Sequence, residues 1–126
     1  MAVVASGVAA SFTDWFFMGV LFHRHNLATP EVWRLKPGQS ETRSILASTF
    51  IGVISCAAFI YLCIWAGTLS LKGALCTAVI AWITGAAPVI LNNAIWTRLH
   101  PLVGVSQALG WLARFVVTAG ITAWLL

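Results

Sequence analysis

The sequence predicts an all-α fold: an integral membrane four-helix bundle with a short interfacial helix in its first loop. Three observations predict it. Of 126 residues, 60% are hydrophobic and only 8% are charged, whereas a soluble domain carries about 25% charged residues. The apolar residues gather into four stretches, each close to the roughly 20 residues that cross a bilayer. The basic residues gather between those stretches, unequally on the two sides. A mean hydropathy of +0.94 agrees. The net charge of +4 is therefore read as a topology signal and not as a nucleic-acid footprint, and no nucleic-acid partner is expected.

The spans run from about Val3 to Phe22, Ile45 to Ala66, Gly73 to Trp96 and Val103 to Trp124, forming one domain over residues 1–126. The opening "MAVVASGVAA" lacks a charged n-region, so it is read as the start of the first helix and not as a signal peptide. The longest connection, His23 to Ser44, contains Thr29 as an N-cap, Pro30 at a first helical position and a Pro37-Gly38 stop. With Val32, Trp33 and Leu35 it predicts a short helix lying in the interface. Arg24, Arg34, Lys36 and Arg43 in the first loop and Arg98 in the third oppose Lys72 in the second. The positive-inside rule then puts loops one and three in the cytoplasm and both termini outside. Trp33 and Trp96 would mark the cytoplasmic belt, Trp65 and Trp124 the outer one, with Trp15, Trp82 and Trp111 deeper and packed.

The first span ends in "FMGVLFHR", with Trp33 downstream; the third carries "APVILNNAIWTRLHP" and the fourth begins with "ALGWLARFVV". Together these resemble the bacterial four-helix membrane family catalogued as domain of unknown function 1761. The matching positions are Gly19, Leu21, Phe22, Trp33, Pro88, Asn92, Gly110 and Trp111. The resemblance implies a multi-pass protein of the bacterial inner membrane and brings no mechanism with it. Phe17-Met18 departs from the aromatic pair of that family's pattern, and neither Asp14 nor Arg114 belongs to it.

Two charges lie deep within spans. At a rise of about 1.5 Å per residue, Asp14 sits about 13 Å in from the His23 end and Arg114 about 15 Å in from the Gly104 end. An unpaired charge at mid-membrane costs roughly 3 kcal/mol or more, so an Asp14–Arg114 contact is expected. One stripe on each helix is rich in small or polar residues: Gly7, Ala10, Ser11, Asp14 and Met18; Ser48, Gly52, Cys56, Phe59 and Cys63; Thr77, Ala81, Gly85, Pro88 and Asn92; Gln107, Gly110, Arg114 and Thr118. Such stripes let membrane helices approach closely. Converged on one interior, they make Asp14, Arg114, Asn92 and Gln107 a candidate intramembrane polar site. Pro88, which lacks a donor, is expected to kink the third helix.

Other chemistry finds little support. His23, His25 and His100 share the predicted cytoplasmic side, but His-x-His on a helix points to different faces, so His23 and His25 are read as interfacial residues and no metal is expected. Cys56, Cys63 and Cys76 lack CxxC spacing. No nucleophile triad, paired carboxylates or phosphate loop occurs, so neither an enzyme nor a cofactor is expected. Two functional readings remain: a structural or accessory subunit that packs against itself or a larger membrane complex, and a small-solute or ion transporter or channel built round the polar site.

Overall fold

The computed structural model describes residues 1–16, 42–97 and 100–126. The predicted interfacial helix, with Trp33, His23 and His25, lies outside the described residues. The described chain is an all-α bundle. In chain order it comprises α1 (Ala2–Asp14), α2 (Thr42–Trp65), α3 (Leu71–Ala81), a π-turn (Trp82–Ala86), α4 (Ala87–Trp96) and α5 (Pro101–Leu125). Three helical rods are long and apolar enough to cross a membrane: α2, the continuous rod Leu71–Trp96, and α5. They mark the chain as a membrane protein. The described part of the first helix is the shorter apolar segment Ala2–Asp14.

The helix ends follow capping chemistry. Gly67 takes φ +68° after α2, where only glycine avoids a Cβ clash. The Thr68 N–H then bonds the Cys63 carbonyl and the Gly67 N–H bonds that of Ile64, the paired closure that satisfies orphan carbonyls at a helix end. Ser70 caps α3 by accepting from the Gly73 N–H at 3.1 Å. His100 caps α5, its Nδ1 accepting from the Leu102 N–H, and Pro101 takes the first turn, where a missing N–H costs nothing.

The α5 helix is the hub and contacts every other element. Small residues permit this. A Cβ added at Gly104 would lie 2.7 Å from the Ala94 Cβ of α4, and one at Gly7 would lie 3.1 Å from Val53 of α2. Phe59, Cys63, Ala74, Ala78 and Ala119 form a closed core between α2, α3 and α5. Large apolar side chains such as Val4, Phe50, Ile54, Ile80 and Ile95 point outward, as lipid contact requires. Trp65, Trp96 and Trp124, the expected belt residues, are 77–83% exposed. Trp82 and Trp111 are half-buried, but Trp15 is exposed where packing was expected.

The third rod departs most from the sequence reading. Its buried positions are Ala74 and Ala78 before the π-turn and Ala87 after it, with Ala94 against Gly104. A π-turn adds one residue to a helical turn, which sets the phase of everything beyond it back by about 100°. The face that begins with Ala74 and Ala78 would continue through Gly85, Pro88 and Asn92 in an unbroken α-helix. Those three residues are instead exposed. This π-turn lies just ahead of Pro88, where a kink is expected, and in it the Ala87 N–H bonds the Trp82 carbonyl. Proline crowds the carbonyl four residues back, and a wider turn on its N-terminal side gives that carbonyl room.

Candidate functional site at Arg114

Arg114 lies in the middle of α5, its side chain only 6% exposed. Helical side chains lean toward their own N-terminus, so the guanidinium reaches back over the preceding turn. There its Cζ stands 4.4 Å from the centre of the Trp111 ring, within cation–π range. Trp111 contacts Phe115, which stacks on Phe59 of α2 at 5.4 Å between ring centres. The guanidinium also rests on Gly52. A Cβ at Gly52 would meet Nη1 and Nη2 at 3.2 Å, so the missing side chain makes a slot for the cation.

The structure brings Asp14 and Arg114 together as an ion pair, Nη2 donating to the carboxylate Oδ2. The two partners differ in exposure, 35% for the Asp14 side chain against 6% for Arg114. The pair thereby joins α1 and α5 at Gly52 of α2. Among the described residues, Nη2 is the one Arg114 group used in this way. Nε is buried and has no hydrogen-bond partner among the described residues.

An open cleft of about 430 Å³ leads to the pair. Ser44, Ala47, Ser48 and Ile51 of α2 line one wall, Gln107, Gly110 and Trp111 of α5 the other, with Asp14 and Arg114 at the end. From Ser44 to Ile51, seven residues on, the cleft runs about 10 Å along the helix axis. Beyond Arg114 the bundle is packed. Thr118 and Thr122 are fully buried, and so are Cys56 and Cys63 of α2. Thr118 donates to the Arg114 carbonyl and contacts the Cys56 sulfur at 3.5 Å.

Of the four polar residues grouped by the sequence, Asp14, Arg114 and Gln107 share this cleft. Asn92 does not: it is exposed on α4, displaced by the added residue of the π-turn, and Pro88 is exposed beside it. Ser44 and Ser48 were not singled out as a pair. Their spacing of four residues near the start of a span places both hydroxyls on one helix face, a signal present in the sequence. Trp82 was read only as packing; its Nε1 donates to the Ala108 carbonyl of α5 at 2.7 Å, pinning the π-turn to the hub. Among the described residues no group of His, Cys, Asp and Glu could hold a metal ion, and His100 serves as a helix cap.

No family model, curated protein or solved structure matches the chain. The likeness to the four-helix family therefore rests on its short motifs alone.

Proposed function

We propose that the chain is a non-enzymatic membrane subunit that packs against a second copy or a larger membrane complex through the outer face of its third rod. The observation that carries this reading is the exposed stripe Gly85, Pro88 and Asn92. An added Cβ at Gly85 would meet nothing within 4 Å, so the stripe is open to another helix. Small residues allow such an approach, and an amide held against lipid gains from an interhelical hydrogen bond. The Asp14–Arg114 pair fits the same role as an internal clip: removing Asp14 would leave a buried guanidinium without its counter-charge. Loops one and three face the cytoplasm in this reading, as their Arg and Lys excess directs.

The test is the size of the particle purified in mild detergent, with identification of whatever copurifies. The parent chain should run as an oligomer or complex, and Gly85→Leu or Asn92→Leu should release the monomer. A parent chain that stays monomeric with no companion defeats the reading.

One observation favours a second reading, a small-solute transporter: the cleft reaches Asp14. Flux into proteoliposomes would decide it. Flux that survives Asp14→Asn unchanged would remove Asp14 from any transport path.

A further inference from the structure

The Arg114 cleft holds more hydrogen-bonding capacity than the protein uses. Elsewhere, exposed helical hydroxyls satisfy themselves on their own backbone: Thr49 donates to the Ile45 carbonyl, Ser55 to Ile51 and Thr84 to Ile80, all at 2.8–2.9 Å. Ser44 and Ser48 line the cleft and are not among the hydroxyls that bond back in this way. Gln107 presents an amide donor and acceptor to the same space. Arg114 has five N–H groups; Asp14 takes a bond from Nη2, and buried Nε has no partner. Buried Nε is costly to leave unmet in a low-dielectric setting, and with the exposed Ser44 and Ser48 hydroxyls beside it the cleft points to an occupant.

The charges around the cleft decide what kind. Among the described residues that line it, Asp14 and Arg114 are the charged groups, and they sum to zero. A simple anion at Arg114 would lie against the Asp14 carboxylate. A simple cation at Asp14 would lie against the guanidinium. Either leaves one uncompensated charge inside the span, which is expensive. A ligand with both charges extends the pair into an alternating array and adds no net charge. The volume of about 430 Å³ falls within the usual range for small-molecule sites of about 300–1,000 Å³.

We propose that this cleft binds a small zwitterion, an ammonium and an oxyanion a few bonds apart. The more exposed Asp14 carboxylate takes the ammonium. The Ser44 and Ser48 hydroxyls, the Gln107 amide and the remaining Arg114 N–H groups take the oxyanion. A phosphoethanolamine group offers this chemistry whether it heads a lipid or is free. The inference concerns the cleft alone and stands apart from the oligomer and flux tests.

The experiment uses the full chain in mild detergent, titrated with phosphatidylethanolamine or with phosphatidylglycerol and read by native mass spectrometry. Free phosphoethanolamine is titrated in parallel. The zwitterionic lipid, the free zwitterion or both should bind saturably, one per chain, with the lipid at least about tenfold tighter than phosphatidylglycerol if a lipid is the source. Binding of the lipid without competition from free phosphoethanolamine assigns the lipid source; binding of the free compound assigns a soluble one. A Ser44→Ala/Ser48→Ala double variant should weaken the complex about tenfold, the worth of two modest hydrogen bonds. Gln107→Ala, on the other wall, should weaken it about threefold. Equal or tighter binding of phosphatidylglycerol overturns the proposal. So does binding that neither the serine variant nor Gln107→Ala changes, or no saturable binding of either zwitterion.

Discussion

The bundle has two unlike halves, divided at Arg114. Toward the C-terminus of α5, Thr118 and Thr122 are fully buried, and their hydroxyls donate to the Arg114 and Thr118 carbonyls. Cys56, Phe59 and Cys63 close that half from α2. Toward the N-terminus of α5, the walls separate into a cleft whose hydroxyls at Ser44 and Ser48 face open space. Similar residue types serve opposite ends. Thr118 and Thr122 bond within their own helix and pack as if apolar; Ser44 and Ser48 are presented to the cleft. The charged pair lies at the boundary, with its cation toward the packing and its carboxylate toward the opening.

The sharpest way to break this division is Arg114→Leu. It abandons Asp14 in a partly buried position, and the expected loss is about 2–3 kcal/mol of stability, read as thermal unfolding in detergent. Asp14→Leu/Arg114→Leu should recover most of that loss, because two apolar groups replace a matched pair. If the double variant is no better than the single, the two charges do not act as a unit.

Backbone contacts come next. Gly104→Ala pushes a methyl to 2.7 Å from Ala94 and should cost about 2 kcal/mol, the usual range for overpacking. Gly52→Ala meets a side-chain end at 3.2 Å, so a smaller cost of about 1 kcal/mol is expected. It should be accompanied by a change in Trp111 fluorescence in a chain with the other tryptophans replaced, as the guanidinium shifts over the ring. Equal effects at the two glycines would mean that the guanidinium is as fixed as the backbone.

The smallest effect tests the halves directly. Thr118→Val removes a buried hydroxyl and its bond and should cost about 1 kcal/mol. Ser48→Ala removes a hydroxyl facing the cleft and should change stability by less than about 0.5 kcal/mol. Matching losses in a thermal melt would erase the distinction between packed and presented hydroxyls.

The sequence made much of this arrangement readable. Gly52, Cys56, Phe59 and Cys63 recur at helical spacing and are buried together; Gly110, Arg114 and Thr118 do the same on α5. The depth match of Asp14 and Arg114 required only the rise of a regular helix. The third rod defeated the same arithmetic because it is not regular throughout. The run Thr84-Gly85-Ala86-Ala87-Pro88 is small and weakly patterned, so no hydrophobic period reports the added residue, and Asn92 was assigned to the wrong side. The cleft was also hidden. Whether Ser48 bonds its own backbone or faces a void depends on how far neighbouring helices stand apart, which periodicity does not encode.

The π-turn gives the third rod something like a reading frame. Upstream of Trp82 one set of positions means inside; downstream the same count means outside. Deleting Gly85 would remove the added residue and restore a regular α-turn, leaving the side chains beyond it pointing as before. A cysteine placed at position 92 should therefore keep its reactivity toward a membrane-permeant thiol reagent, relative to the undeleted chain with the same cysteine. Here, inside and outside are told apart by counting residues, and the turn absorbs the one residue that would otherwise exchange them.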